Sequence, residues 1–182
     1  MIDEIRKHVK EQCMKETNFF GMNAYSYHFR TTVKYAKLLA DKLGADKEIV
    51  EIAAWLHDIG SITGNYDDHH IAGAEYAEEL LKGYDYPQEK IEKVKHCIIA
   101  HRGSKSIPRE TIEAECIASA DAMSHFDNVP GLFHLAYSIR KKNVEEAKEF
   151  VIGKLQRSWN KLTPEAKEVI KPKYESMKVL LE

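Results

Sequence analysis

Apolar residues recur at helical spacing along almost the whole chain, and no segment alternates at the two-residue period of a half-buried strand. That pattern confines the fold to the all-α class. Ile2, Ile5 and Val9 predict a first helix to about Thr17, followed by a loop over 18–24 that contains Gly21 and Asn23. A second helix is expected from Tyr25 to Leu43, where Gly44 stops it. Asp46 is a suitable N-cap for a third, Lys47 to about His57. Gly60 to Asp68 reads as a polar turn. Further helices are expected from His69 to Leu81, from Pro87 to about His101 and from Glu110 to about His125. The segments Pro130 to Lys142 and Val144 to Trp159 also read as helical. Thr163-Pro164-Glu165 opens the last helix, with threonine as cap and proline at the first helical position. The sum is about nine helices. We expect one domain over 1–182, with a core at about 25–125 and the helices of 130–182 packing on it.

Composition narrows the function more than the fold. Hydrophobic residues are 43% of the 182, enough for a core. The net charge of −2, with both signs mixed, argues against a nucleic-acid coat, which needs a basic excess. A small anionic ligand held by a few local cations remains compatible. No apolar run reaches the roughly 18 residues of a membrane span, and the N-terminus lacks a signal-peptide core. Cys13, Cys97 and Cys116 are scattered, with no CxxC pair, so they read as reduced core thiols of a cytoplasmic protein.

The compositional oddity is nine histidines, and their placement is informative. In Ala53-Ala54-Trp55-Leu56-His57-Asp58-Ile59-Gly60, an apolar helix ends in adjacent His and Asp. Two polar, metal-competent side chains at the end of a buried helix are costly unless something satisfies them. Adjacent helical residues point about 100° apart, but an ion beyond the helix terminus meets both. His28 lies near the start of the second helix. Asp121 is a single acid within Ile117-Ala118-Ser119-Ala120-Asp121-Ala122-Met123, and His101 ends the run Cys97-Ile98-Ile99-Ala100. Each repeats one design, an apolar helix with one ligand-type side chain, and four together are hard to explain without a metal. His96 stands five residues before His101, about 140° round the helix, and is expected to be buried or in a supporting role. His125 shares the Asp121 face; His8 and His134 have no such context.

In order and helical context, His28, His57-Asp58 and Asp121 resemble the H…HD…D pattern of the HD-domain phosphohydrolases, over about residues 25–125. His69-His70-Ile71-Ala72-Gly73-Ala74 and Ile98-Ile99-Ala100-His101 are similar to the added histidines of dinuclear members, the HD-GYP phosphodiesterases and HD-type diadenosine tetraphosphatases. The four-residue step to Gly73 favours His69 over His70, and Gly73 on the same face leaves room for close approach of a neighbour. Ser61 stands where HD-GYP proteins carry lysine, and their GYP segment is absent, which points away from cyclic dinucleotides. The step from Asp58 to His69 is also shorter than the tetraphosphatase pattern implies.

The resemblance implies a site of one or two divalent transition-metal ions on His28, His57, Asp58, His69, His101 and Asp121. Such a mixed imidazole and carboxylate set suits Fe, Mn, Zn, Co or Ni rather than Mg alone. In the dinuclear reading Asp58 bridges the ions, and His57 and Asp58 are central to catalysis. Water made acidic by the ions would then attack phosphorus in a small phosphorylated or nucleotide substrate. No GxSxG or P-loop pattern offers a different chemistry. Arg102 and Lys105, in the loop after His101, are candidate phosphate contacts. A di-iron oxygenase on the same ligands and a non-catalytic nucleotide sensor are the competing readings. The C-terminal third shows no clear chemical motif. Phe126, Phe133 and Tyr137 read as core or pocket lining. The charged final helices either wrap the domain or form a homodimer contact.

Overall fold

The computed structural model describes residues 1–102 and 107–181. Among them the elements are α1 (Ile2–Cys13), a π-helical turn (Ala24–Phe29), α2 (Arg30–Leu43), α3 (Lys47–Leu56), α4 (Ile59–Ile62), α5 (His69–Lys82) and α6 (Gln88–Ala100). They continue with α7 (Ile112–Asp127), α8 (Val129–His134), a second π-helical turn (Leu135–Ile139), α9 (Val144–Asn160) and α10 (Pro164–Leu181). No strand occurs among the described residues, and no helix there is long and apolar enough to cross a membrane. The fold is all-α.

Helix α7 is the axis of the packing. Helices α2, α3, α6, α9 and α10 all contact it. From Cys116 to Phe126 every residue is buried, as expected of a helix that is non-charged almost all round. Ala114, Ala118, Ser119, Ala120, Ala122 and Ser124 keep its surface low, so that neighbours approach closely on several sides. Asp121 is the one carboxylate in this buried stretch.

Local signals set most of the helix ends. Asp46 accepts from the amides of Glu48 and Ile49 at 3.0 and 3.2 Å and caps α3. Gly44 ends α2 with φ of 73°, the left-handed conformation that glycine adopts without strain. Thr111 caps α7 through the Ala114 amide, one residue beyond the expected start at Glu110. Asn143 and Glu146 form a capping box on α9.

Elsewhere the structure corrects the expectation. Helix α1 stops at Cys13 rather than Thr17, because the Asn18 side-chain amide donates to the Cys13 carbonyl at 3.0 Å and turns the chain. The segment expected as one helix from Tyr25 begins as a wider π turn. The polar turn over 60–68 starts with the short helix α4, since Ile59 and Ile62 are buried. Pro87 is the N-cap of α6 rather than its first residue. The helix expected over 130–142 is divided into α8 and a π turn, and Lys141 takes φ of 53° where the chain reverses.

Two glycines bring α5 against α4. A Cβ on Gly60 would lie 2.4 Å from the His69 carbonyl oxygen and 3.0 Å from the Gly73 amide. A Cβ on Gly73 would meet the Gly60 amide at 3.4 Å. Gly60 therefore lets the first turn of α5 lie against the chain just after Asp58. Gly60→Ala is expected to cost about 1–3 kcal/mol of stability, the usual penalty of overpacking against backbone that cannot move aside. A thermal melt within a degree of wild type would show that the contact is soft.

Candidate metal centre

His57 is the C-cap of α3, and Asp58 is the N-cap of α4, with φ of −112°. The break between the two helices brings adjacent side chains to one point, which an unbroken helix would aim about 100° apart. His28 comes from the first π turn, His69 from the first residue of α5, His101 from the end of α6 and Asp121 from the middle of α7. Six side chains from distant parts of the chain meet in one place.

Their imidazoles are held in one way. The Nδ1 groups of His57, His69 and His101 donate to the carbonyls of Ala54, Tyr66 and Ile98 at 2.9, 2.8 and 2.5 Å, each three residues earlier. The Ser124 hydroxyl donates to the Asp121 carbonyl at 2.7 Å, so it accepts from His28 Nδ1 at 2.9 Å. With the proton on Nδ1, each ring directs the Nε2 lone pair inward.

The inward atoms are close. His28 Nε2 lies 3.0 Å from His57 Nε2 and 3.1 Å from Asp58 Oδ2. Asp121 Oδ1 is 3.8 Å from His28 Nε2 and 4.0 Å from His57 Nε2. On the other side, Asp58 Oδ1 faces His69 Nε2 at 3.5 Å and His101 Nε2 at 3.6 Å. Lone pairs 3.0 Å apart repel unless a proton or a cation lies between them. Two ligands on one ion with bonds of about 2.1 Å stand about 3.0 Å apart at right angles and about 3.4 Å apart at the tetrahedral angle. Within this geometry His28, His57 and Asp58 form one group able to hold a metal ion, and Asp58, His69 and His101 a second.

The electrostatics agree. Burial alone would raise the pKa of Asp58, but His57, His101 and His28 hold it well below the usual carboxylate range. Burial acts against Asp121 in the same way and is outweighed by Lys161, His125 and His28. Lys161 Nζ donates to Asp121 Oδ2 at 3.0 Å. Burial lowers His28, but the hydrogen bond and charge of Asp58 reverse this and raise it. His57, fully buried, is pushed down to about 4 by burial.

The other histidines lie around this group. His70 Nδ1 accepts from Arg102 at 2.9 Å, so it is turned toward that guanidinium. His96 accepts from the Glu110 amide at 3.1 Å and takes no part in the cluster. His125 faces Asp121 Oδ1 at 3.7 Å, is anchored to Ser158 Oγ at 3.0 Å and forms a third group with His28 and Asp121. His8 bonds Tyr76, away from the site.

A cleft of about 690 Å³ opens onto the cluster and is walled by Arg102, Arg109, Arg140, Lys154, Arg157 and Lys161. A smaller, mainly apolar pocket of about 150 Å³ adjoins it, with Phe20, Phe29, Leu132 and Leu135 in its wall. Arg102 lines the cleft while donating to the Asp67 carbonyl and lying 3.7 Å from Asp68. Lys105 lies outside the described residues. The C-terminal third, which shows no clear chemical motif in the sequence, contributes to the wall of the cleft. Lys154, Arg157 and Lys161 stand at i, i+3 and i+7 on and just after α9, one face of a helix. That spacing was visible in the sequence; its direction was not. Phe126, Phe133 and Tyr137 do not line these two cavities: Phe126 is buried in the core and lines a separate cavity against α10, and the other two stack on each other.

The site and the all-helical frame define a class, and comparison with known proteins places the chain in it. The HD domain family matches residues 25–125, and the chain belongs to that family. An uncharacterized protein of Clostridium beijerinckii is 40% identical over 83 residues, covering 43% of this chain and 53% of that protein. Ribonuclease Y of Alkaliphilus metalliredigens is 33% identical over 113 residues, covering 61% of this chain and 22% of the relative. The chain thus spans about half the length, or less, of these curated relatives. Among solved structures, Bacillus subtilis YpgQ in complex with ADP superposes with a TM-score of 0.75 at 20% identity, covering 100% of this chain and 94% of that one. That likeness is one of fold.

The histidine pKa values give a pH dependence for protein stripped of metal. His57 and His125 stay neutral when folded, because burial depresses them below 6.5, whereas the unfolded chain protonates them near that value. The unfolded state therefore binds more protons as pH falls from 6.5 toward 4, and stability declines over that window. His28, raised, acts in the opposite sense but is one group. The urea midpoint of chelator-treated protein is expected to be lower at about pH 5 than at about pH 7.5. An equal or higher midpoint at the acid pH would contradict this.

Proposed function

We propose that this chain is a metal-dependent phosphohydrolase acting on a small, phosphorylated, nucleotide-like molecule. The observation that carries the reading is the convergence of four imidazole lone pairs and two ionised carboxylates at the floor of a cation-walled cleft. In this reading His28, His57, Asp58 and Asp121 would hold one ion, and Asp58, His69 and His101 would hold a second. Fe, Mn, Zn, Co and Ni suit such donors. A divalent ion held there supplies Lewis acidity, which polarises a phosphoryl oxygen and acidifies water near neutral pH.

The chain's own residues do the rest. The three carbonyl anchors and Ser124 keep the imidazoles aimed, so little reorganisation is left for the reaction. The cationic wall, Arg102 included, receives the negative charge of the substrate and positions it above Asp58. The adjoining apolar pocket suits a ring on the same molecule, and the ADP held by the YpgQ structure supports a nucleotide-like ligand.

Elemental analysis of protein purified without added metal tests the reading. About two equivalents of a transition metal support the dinuclear form, and about one assigns His69 and His101 to substrate contact. None, with no rebinding on reconstitution, overturns the proposal. Asp58→Asn, which removes the charge shared by both groups, is expected to lower phosphoester hydrolysis at least about 100-fold. Ser124→Ala leaves the inward atoms in place and removes one anchor. It is expected to weaken metal binding about 10–100-fold, measured by competition with a chromophoric chelator.

A further inference from the structure

The two cavities beside the cluster share part of their lining: Asp58, Ser61, Tyr66, His125 and Lys154. Lys154 is the only cation in that set. It stands on α9 where the apolar pocket gives way to the basic cleft, and it lines both cavities together with Asp58 and His125.

Most of the other cations of the cleft are already engaged. Lys161 is paired with Asp121 at 3.0 Å and Arg109 with Glu115 at 2.9 Å. Arg102 is bonded to His70 and the Asp67 carbonyl, and Arg140 lies over the Phe150 ring at 4.7 Å. Lys154 and Arg157 have no hydrogen bond or ion pair among the described residues. Arg157 is exposed to water, whereas Lys154 is partly buried.

A partly buried ammonium with no direct hydrogen bond or ion pair is held at a cost in solvation, which an anion bound against it would offset. Burial pushes the pKa of Lys154 down, while Asp121 and Asp58 act to raise it and Lys161 opposes them. Its charge in turn bears on His28 and His125. The arrangement thus leaves one positive group beside the cluster with no hydrogen bond or ion pair among the described residues, bordering both cavities.

From this placement we infer that Lys154 is a substrate-contacting residue, its ammonium donating to an anionic oxygen of the phosphoryl group received above Asp58. The inference rests on the phosphohydrolase reading but assigns a role to a residue outside the H…HD…D pattern. A lysine that merely covered apolar surface with its stem would be indifferent to anions.

The test measures binding of inorganic phosphate by calorimetry, together with metal content per chain, for full-length wild type, Lys154→Met and Lys154→Arg. Both metal-loaded and chelator-treated protein are titrated. Lys154→Met is expected to keep the wild-type metal content and to bind phosphate about tenfold more weakly or worse, the scale of one charge-assisted hydrogen bond. Lys154→Arg is expected to recover most of that loss. Phosphate affinity within twofold of wild type in Lys154→Met would overturn the assignment. Loss of metal along with phosphate would also overturn it, because Lys154 would then act on assembly of the centre. Wild type that takes up no metal would end the phosphohydrolase reading instead. The chelator-treated titrations would still report on Lys154 by themselves.

Discussion

Everything in this fold is arranged around one helix that is covered on all sides. Helix α7 can be enclosed by five neighbours because small alanines and serines recur along its buried stretch, which lets their backbones come close. Close packing of this kind transmits position. Asp121, Ser124 and His125 are carried on the same rigid axis, so they are placed relative to α2, α3 and α9 by packing and not by their own conformational choice. Ser124 shows the consequence. Its hydroxyl is oriented by the carbonyl of its own helix, and it orients His28 from a segment 96 residues away in sequence.

The candidate centre inverts the usual rule for buried polar groups. Such groups are expected to face hydrogen-bond partners of opposite type. Here the outer edges of the rings obey that rule, while the inner edges bring acceptors against acceptors at 3.0 to 4.0 Å. Three times, the same local device achieves this: a histidine at or near a helix end returns its Nδ1 proton to the carbonyl three residues earlier. The anchor is local and robust. The convergence of the free edges is not local at all, and a positive charge is what reconciles it.

The cleft adds a second asymmetry. Acidic and basic residues are almost balanced over the chain, yet the basic ones gather along one wall next to two carboxylates held ionised. A net charge of −2 gives no hint of this, because composition averages over a surface that the fold sorts. Helix α9 and the residue just after it line the cleft through Lys154, Arg157, Ser158 and Lys161, and so are more than a cover for the core.

The sequence by itself determined the helical class, most helix ends and the residue types of the centre. These depend on interactions spanning a few residues: apolar periodicity, the Asp46 cap, the Gly44 stop, and single ligand-type side chains set in apolar runs. The tertiary structure alone decided how those parts are aimed. The α1 boundary moved because Asn18 bonds back to Cys13, and the Tyr25 segment became a π turn that presents His28. The role of Gly60 appeared only with α5 packed against it, and the preference for His69 over His70 that the step to Gly73 gave was joined by geometry, His69 facing Asp58 and His70 facing Arg102. The facing of α9 likewise depends on what it packs against. Periodicity gives each helix a buried side, but the partner of that side, and therefore the cleft its cations wall, is set by contacts between residues far apart in the chain.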